Sequence, residues 1–330
     1  MMGHMMNSTI AALLAPGKGI LAADESFPTL DKRFKALNIS STEQNRRLYR
    51  EMLFTTPGLN EFISGVILFE ETLRQRTQTN VPMPEMLAKQ GMIPGIKVDQ
   101  GTVTLANFAG EKITQGLDGL RERLNEYREA GARFTKWRAV ITIGVDMPTR
   151  TCIETNAHTL AQFAALSQEA GLVPIVEPEV LMDGKHTIAR CEEVTSMVLQ
   201  AVFAALFNHR VVLEEMLLKT GMVLSGAECP EQADDETVAK ATLRCLQRNV
   251  PAAVPGIVFL SGGQSDQAAT QRLKAICGAG GSPWKISFSY GRALQSPAMK
   301  SWQGSPDNVA AGQAALYDRA KSNGLAVRGK

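Results

Sequence analysis

Eight short apolar runs recur along this chain, and their starts lie about 29 to 44 residues apart. That spacing matches one strand, one helix and the loops that join them. Each run has the length of a strand and is rich in Val, Ile, Leu and Phe, as strands buried on both faces are. The runs are "GILAADES", "ISGVILFEE", "IPGIKVDQG", "FTKWRAV", "LVPIVEPEV", "EMLLKTG", "GIVFLSGG" and "KISFSYGR". The pattern therefore predicts an α/β fold with eight strands.

The intervals between these runs have the periodicity of amphipathic helices. In "LDGLRERLNEYREAG", apolar residues stand three or four positions apart before Gly131, which can end the helix. Two later intervals show the same spacing. The apolar positions are Leu117, Leu120, Leu124 and Tyr127, then Leu160, Phe163 and Leu166, then Val194, Val198, Val202 and Leu206. Eight strands that alternate with helices favour a closed (β/α)8 TIM barrel over an open doubly wound sheet, although strand order cannot be read from the pattern.

No linker or low-complexity stretch divides the sequence, so we expect a single domain. We assign residues 17–326 to the barrel, 1–16 to an N-terminal segment, and 327–330 to a short or truncated C-terminal tail. The opening "MMGHMM" resembles a cloning remnant in part and is left out of this interpretation.

Composition excludes several classes of protein. The formal charge is +2, from 35 basic and 33 acidic residues, with no basic stripe that would follow a nucleic-acid backbone. No apolar run approaches the roughly 20 residues that span a bilayer, and no secretory signal is recognisable. The five cysteines are odd in number and include no C-x-x-C pair, which disfavours disulfides or structural zinc. We expect a cytoplasmic protein that binds neither nucleic acid nor membranes, or a plastid protein if a targeting segment has been removed.

Polar residues end nearly every run. In a closed barrel, the C-terminal ends of all strands open on one mouth, where the chemistry of such folds is located. The residues are Asp24, Glu70, Lys97, Asp99, Lys136, Arg138, Glu177, Glu179, Lys219, Ser261, Ser289 and Arg292. Since strand side chains alternate, Lys136 and Arg138 share one face, as do Glu177 and Glu179 if the strand stays regular past Pro178. A single charge at a strand end is usually just solvated, but so many together favour an active site.

Lys219 is the unusual member of this set because it follows Met216, Leu217 and Leu218 at the end of a buried run. It could be a lysine whose stem lines the wall and whose head reaches water. It could instead be a nucleophile, since desolvation among leucines and a nearby cation, with Lys136 the best candidate, both favour the neutral amine.

Two glycine-rich turns follow the last two runs, "SGGQS" at Ser261–Ser265 and "SYGRAL" at Ser289–Leu294. Barrel enzymes often bind phosphate between these loops, and Arg292 would add a permanently charged donor. The first loop, "DESFPTLDKR", supplies Ser26, Thr29 and Arg33, which together with Lys97 could hold a second anion. The alternative is that this loop only caps a helix and carries surface charge.

These segments resemble the class I fructose-bisphosphate aldolases from about Gly17 to Ala326. The similarity rests on "GKGILAADES", "GVILFEETL", "PGIKVDQG", "TQGLDGL", "KWR", "GLVPIVEPEV", "MLLK", "FLSGGQS" and "SFSYGRALQ", in the same order and at compatible spacing. The resemblance implies a TIM barrel that is usually a homotetramer and uses neither metal nor cofactor. It also implies reversible cleavage of fructose 1,6-bisphosphate to dihydroxyacetone phosphate and glyceraldehyde 3-phosphate, in glycolysis, gluconeogenesis or the Calvin cycle.

The resemblance further implies a role for each matching residue. Lys219 would form the Schiff base, Glu177 would be the general acid/base with Glu179 nearby, and Asp24 would take the C4 hydroxyl proton. Lys136 would assist electrostatically. The substrate-binding positions would be Ser261, Gly262, Gly263, Ser289, Gly291 and Arg292 on one side, Ser26, Arg33 and Lys97 on the other, and Arg138.

Three features depart from the family pattern. Thr220 and Gly221 follow the lysine where many relatives have a proline, and Phe27-Pro28-Thr29 replaces a small glycine-containing turn of animal relatives. The chain also stops at Lys330, whereas many relatives continue to a terminal tyrosine that exchanges a proton.

Other readings stay open. A zinc-dependent aldolase is disfavoured because His158, His186 and His209 lie in helical or loop intervals. Two alternatives remain. One is a Schiff-base aldolase for a monophosphate or a seven-carbon bisphosphate, and the other is a non-catalytic barrel that binds sugar phosphates or scaffolds partners.

Overall fold

A computed structural model describes residues 2–329 of the chain, with the side chains of residues 2–4 left aside. The strands are β1 (Gly19–Ala23), β2 (Ile63–Leu68), β3 (Ile93–Lys97), β4 (Thr102–Thr104), β5 (Lys112–Thr114), β6 (Phe134–Ile141), β7 (Val173–Val180), β8 (Leu217–Thr220), β9 (Gly256–Phe259) and β10 (Lys285–Tyr290). Each of the eight predicted runs contains one strand, and the short pair β4 and β5 was not predicted.

The helices are α1 (Met2–Leu13), α2 (Phe27–Lys35), α3 (Glu43–Phe54), α4 (Glu70–Arg74), α5 (Met83–Lys89), α6 (Leu120–Glu129), α7 (Arg150–Glu169), α8 (Ile188–Asn208), α9 (Asp235–Asn249), α10 (Asp266–Ala279), α11 (Arg292–Trp302) and α12 (Val309–Val327). Short 3-10 turns lie at Leu59–Glu61, Leu213–Glu215 and Pro306–Asn308. The three intervals with helical spacing are confirmed as α6, α7 and α8.

The eight long strands pair in parallel around a closed barrel in the order β1-β10-β9-β8-β7-β6-β3-β2. The fold is therefore a single-domain (β/α)8 TIM barrel, and the open-sheet alternative is wrong. β4 and β5 form a separate antiparallel hairpin after β3. The bounds given above for the barrel and its flanking segments stay a prediction.

Local chemistry starts and stops the longer helices. Hydroxyls of Thr149 and Thr187 accept hydrogen bonds from first-turn amides of α7 and α8, which satisfies donors that a helix start leaves unpaired. Gly131 and Gly171 follow α6 and α7 with φ of 109° and 74°, a left-handed conformation that glycine adopts without steric cost. These signals set where the chain turns back toward the next strand.

The lower half of the barrel is filled by apolar side chains. Phe134 of β6 occupies its centre, and a Cβ on Gly95 would come within 2.3 Å of that ring, so glycine makes the room. Helix α1 contacts β2 and β7, and its Met6 and Ile10 are buried in the same cluster. α1 thus closes the N-terminal end of the barrel, opposite the mouth.

Candidate active site

Inward side chains change from apolar to charged along each of the strands that build the site. In β8, Leu217 belongs to the inner apolar cluster and Leu218 to the outer one, so Lys219 faces the interior again. In β6, Phe134 lies inside and Lys136 stands two residues further toward the mouth. The period of two therefore puts both lysines on top of an apolar floor.

A buried cluster of amines and carboxylates lies at this level. Nζ of Lys219 is 3.2 Å from Oε1 of Glu177, whose Oε2 is 3.5 Å from Nζ of Lys136. The Lys136 ammonium is also 2.7 Å from Oδ2 of Asp24. Lys136 and Lys219 are only 3% and 4% exposed. The structure thus brings together four of the five predicted catalytic residues, and the reading of Lys219 as a solvated surface lysine is wrong.

Asp99 extends this cluster toward Lys97. Its Oδ1 is 2.6 Å from Nζ of Lys97, and its Oδ2 is 3.9 Å from Nζ of Lys136. The sequence placed Asp99 at the mouth but gave it no role. Its position two residues after Lys97 was the available signal, because that spacing puts both side chains on one face of an extended segment.

Glu179, the fifth predicted catalytic residue, pairs with Arg138. The guanidinium of Arg138 donates to Glu179 from the neighbouring strand, where Arg138 is in register with Glu177. β7 stays regular through Pro178, so the condition for Glu177 and Glu179 to share one face is met. Glu179 has its own cation and is separated from the Lys219 pair.

Charge neighbours decide the protonation states in this cluster. Burial opposes ionisation of Asp24, but the ammonium groups of Lys136, Lys219 and Lys97 outweigh it and hold the pKa of Asp24 well below its usual range. Burial likewise favours loss of the Lys136 proton. The carboxylates of Asp24, Glu177 and Asp99 outweigh that effect and raise the pKa of Lys136 far above its ordinary value. Asp24 is therefore a carboxylate and Lys136 a fixed cation at neutral pH.

The turns after β9 and β10 lie side by side at the mouth. Gly262 and Gly263 have φ of 53° and 95°, a left-handed conformation that glycine adopts without steric cost, and Gly263 is exposed. A Cβ on Gly263 would lie 3.7 Å from Nη2 of Arg292, the exposed residue that begins α11. Among residues 2–329, the Arg292 guanidinium has no side-chain partner, and the buried hydroxyl of Ser289 has no hydrogen-bond partner. These groups, with Ser261 and Gly291 beside them, are available to a phosphate.

The first loop is held by a carboxylate that the sequence interpretation missed. Oε1 of Glu25 accepts a hydrogen bond from Arg33 at 2.6 Å and another from Gln295 at 2.7 Å. Its Oε2 is 2.7 Å from the buried guanidinium of Arg50. Arg33 therefore lies at the mouth as predicted but is paired with a protein carboxylate. Glu25 could have been suspected from its place next to Asp24, whereas Arg50 and Gln295 carried no signal.

Ser26 lies at the start of α2 and presents its hydroxyl beside that of Thr29, at 3.4 Å between the two oxygens. Its side chain makes no capping bond to the helix backbone.

Two further predictions concern Glu70 and the histidines. Glu70 pairs with Arg74 in an exposed position, so Glu70 is a solvated charge at a strand end. His158 lies in helix α7, His186 in the loop after β7 and His209 at the end of α8, as predicted.

The site combines three features that bear on its chemistry. A buried amine lies within proton-transfer distance of a carboxylate, a second carboxylate is kept ionised by a fixed cation, and two basic, hydroxyl-bearing loops flank them.

Comparisons with known proteins agree with this site. A sequence model described as "Fructose-bisphosphate aldolase class-I" matches residues 5–330. A protein of Xanthomonas campestris named "Probable fructose-bisphosphate aldolase class 1" is 56% identical over 328 residues, 99% of this chain and 98% of its own length. The chain belongs to the class I fructose-bisphosphate aldolase family. It is accordingly an enzyme, a lyase.

Two eukaryotic relatives extend the similarity. "Fructose-bisphosphate aldolase 4, cytosolic" of Arabidopsis thaliana is 53% identical over 315 residues, 95% of this chain and 80% of its own length. A crystal structure of the Plasmodium falciparum aldolase, in complex with TRAP and a small molecule inhibitor, superposes with a TM-score of 0.98 at 49% identity. It is matched over all of this chain and 95% of its own. The TIM barrel is thus shared with an aldolase of known structure.

The segment after Lys219 is well packed despite the missing proline. Thr220 is buried within β8, and its carbonyl accepts a hydrogen bond of 3.0 Å from the amide of Leu260. Gly221 is not in the left-handed region, and a Cβ built there would meet Leu260 and Val180 at 3.8 Å. Glycine at this position is therefore not demanded by the backbone.

Within the described residues, no helix is both long enough and apolar enough to cross a lipid bilayer. All five cysteines are free thiols, and four of them are buried.

Proposed function

We propose that this enzyme cleaves fructose 1,6-bisphosphate reversibly to dihydroxyacetone phosphate and glyceraldehyde 3-phosphate through a Schiff base on Lys219. One observation carries the proposal: the Lys219 amine is buried at the mouth, 3.2 Å from Glu177. A neutral amine can add to the C2 ketone, and loss of water from the carbinolamine gives an iminium. That iminium is the electron sink which aldol cleavage requires.

Glu177 is the proton carrier for these first steps. Its two oxygens face Lys219 and Lys136, so it can receive the proton that the amine loses and deliver a proton to the departing hydroxyl. The iminium carries a positive charge that the enamine later loses, whereas Lys136 stays a cation 3.5 Å from Glu177. Glu177 therefore has a cationic neighbour at every step.

Asp24 is the base for bond cleavage. As a carboxylate it takes the proton of the C4 hydroxyl, the C3–C4 bond breaks, and its electron pair moves into the iminium to form an enamine. The C4 oxygen leaves as the aldehyde of glyceraldehyde 3-phosphate. The enamine then takes up one proton at C3, which balances the proton that Asp24 removed and gives up again. Water hydrolyses the resulting iminium, which releases dihydroxyacetone phosphate and restores Lys219. Lys136, 2.7 Å from Asp24, holds this base in its ionised form until the substrate proton arrives.

The two phosphates define the substrate class. We assign the phosphate of the ketone half to Ser261, Gly262, Gly263, Ser289, Gly291 and Arg292. We assign the distal phosphate to Ser26, Arg33 and Lys97, with Arg138 at the side of the mouth. Two basic loops on opposite sides favour a bisphosphate over a monophosphate. Turnover of fructose 1,6-bisphosphate, sedoheptulose 1,7-bisphosphate and fructose 1-phosphate can be compared directly to test this order.

The decisive experiment is reductive trapping of the imine. The enzyme is incubated with dihydroxyacetone phosphate and borohydride, which reduces the iminium to a stable secondary amine, and peptides are mapped by mass. We expect one adduct, on the peptide that contains Lys219, and loss of both adduct and activity in Lys219→Ala. Lys240→Ala, which changes an exposed lysine, serves as the control.

An adduct on another lysine would contradict the assignment of the nucleophile. A wild type as inactive as Lys219→Ala would favour the non-catalytic reading. Activity that EDTA abolishes and zinc restores would support a metal-dependent reaction instead.

Assembly, location and pathway are also proposals. The family resemblance points to a homotetramer, and an exposed apolar pair, Phe207 and Val212, lies on this chain at the end of α8 and just beyond it. The name of the Arabidopsis relative supports a cytosolic location, and the reaction belongs to sugar-phosphate metabolism such as glycolysis.

A further inference from the structure

Phe27 is a large aromatic residue at the mouth and is 41% exposed. It is the first residue of α2 and directly follows Ser26. Because so much of the ring stays in water, core burial does not account for it. Its contacts point to another role.

The Phe27 ring touches two neighbouring elements of the barrel rim. It packs edge to face on Phe69, with ring centroids 5.1 Å apart and an interplanar angle of 82°. Phe69 is the first residue after β2 and caps α4. The guanidinium carbon of Arg46, from α3, lies 4.7 Å from the Phe27 centroid. The ring thus joins the first loop to the β2–α4 junction and to α3.

Arg46 is itself immobilised. It donates to both carboxylate oxygens of Glu71 at 2.9 Å and 2.6 Å, and to the carbonyl of Ser41 at 2.8 Å. A fork held by a bidentate pair has little rotamer freedom left. Phe27 therefore rests between the ring of Phe69 and the immobilised guanidinium of Arg46. We call Phe27, Phe69, Arg46 and Glu71 the Phe27 clamp.

The clamp lies next to the groups assigned to the distal phosphate. Ser26 immediately precedes Phe27, and Arg33 lies on the same short helix. Pro28 in the first turn restricts the backbone there further. Ordering a loop when an anion binds costs free energy, and a loop ordered in advance avoids that cost.

We propose that Phe27 is a positioning residue for the distal anion subsite and makes this enzyme selective for substrates that carry a second phosphate. The inference rests on the proposed function. It goes further by naming a residue that touches no substrate and by assigning it to only one of the two phosphates. Fructose 1-phosphate has no distal phosphate and so does not use the positioned groups.

The test compares Phe27→Ala with wild type on fructose 1,6-bisphosphate and on fructose 1-phosphate. We expect kcat/KM for the bisphosphate to fall about 10-fold, mainly through a higher KM, which corresponds to about 1.4 kcal/mol. The value for the monophosphate should change less than about 2-fold, since none of its contacts depend on the clamp. Phe27→Tyr keeps the ring and should restore the wild-type ratio. Arg46→Met, which removes the cation over the ring, should shift the ratio in the same direction as Phe27→Ala.

Equal losses on both substrates would show a merely structural role and overturn the inference, as would an unchanged ratio in Phe27→Ala. A wild type that cleaves neither substrate would refute the proposed function, and the inference would fall with it. Circular dichroism and thermal melting of each variant establish that its barrel is folded.

Discussion

Lys136→Met removes a cation that lies close to three buried carboxylates. The Lys136 ammonium lies 2.7 Å from Asp24, 3.5 Å from Glu177 and 3.9 Å from Asp99, and its side chain is buried. Methionine has a similar length and no charge, so the substitution keeps the packing and leaves three carboxylates without their common partner. The variant isolates the electrostatic contribution of one group.

The magnitude follows from the distances. At an effective dielectric constant of about 20, two unit charges 2.7 Å apart attract by roughly 6 kcal/mol, and desolvation of the ammonium offsets part of this. Removing one partner of a buried pair costs about 3 to 5 kcal/mol in measured cases. We therefore expect the free energy of unfolding at pH 8 to fall by about 3 to 5 kcal/mol.

The loss should depend on pH. In the wild type, the pKa of Asp24 lies below its unfolded value of about 3.9, so its stabilisation is fully present above that value and is lost only as the pH falls toward the lower folded pKa. In Lys136→Met, Asp24 loses the nearest of its three ammonium neighbours, and we expect burial to outweigh the attraction of Lys219 and Lys97 and to raise the folded pKa of Asp24 above the unfolded one. The variant then gains stability as the pH falls through that raised value. The difference between the two proteins should be smaller at pH 5 than at pH 8.

Urea denaturation followed by circular dichroism, at one protein concentration and at both pH values, measures these differences. Lys240→Met is the matched control, because Lys240 also pairs with a carboxylate at 2.6 Å, that of Glu236, but in an exposed position where solvent screens the pair and its loss should change the stability little. Equal losses in the two variants, or a Lys136→Met difference that grows on acidification, would refute this account of the cluster.

Three further predictions concern other parts of the molecule. Gly221→Ala should raise the free energy of unfolding by about 0.4 to 1 kcal/mol, whereas Gly262→Ala should lower it, since Gly262 has a φ of 53° and its new Cβ would lie 2.8 Å from Leu260; urea denaturation showing the same sign for both would contradict this. Asp24 should be a carboxylate at pH 5, so a difference infrared spectrum between wild type and Asp24→Asn should contain a carboxylate band, and a carboxylic acid band would argue against the lowered pKa. Phe207→Glu should lower the molar mass measured by light scattering, because Phe207 is 82% exposed and we place it at a subunit contact, while Val145→Glu, at 89% exposure, should not; equal masses for Phe207→Glu and wild type would remove Phe207 from that contact.

Most of the fold could be predicted from the pattern of apolar residues within short stretches of sequence. The apolar runs and the helical spacing of α6, α7 and α8 depend on residues close in sequence, and the structure confirms each of them. Closure of the barrel was favoured by the number of units and not by strand order, which depends on pairing between distant segments. The hairpin of β4 and β5 went unpredicted because its strands are three residues each and largely lack an apolar face.

The sequence predicted which residues form the site better than it predicted which of them pair with each other. The position of Lys136, Glu177 and Lys219 at strand ends predicted that they share one mouth, and the structure shows both lysines beside Glu177. The same reasoning said nothing of Glu25, whose partners Arg50 and Gln295 come from helices far along the chain. It also could not show that Arg33 is paired with Glu25.

The sequence by itself determined which side chains would stand at the C-terminal ends of strands and which of them would face inward, because a strand repeats every two residues whatever surrounds it. Only the tertiary structure decided which amine meets which carboxylate, and that the exposed ring of Phe27 is held between Phe69 and Arg46. Those contacts depend on barrel register and on distances across the mouth, and the energy of a charge or a ring changes over a few ångströms that no local pattern specifies.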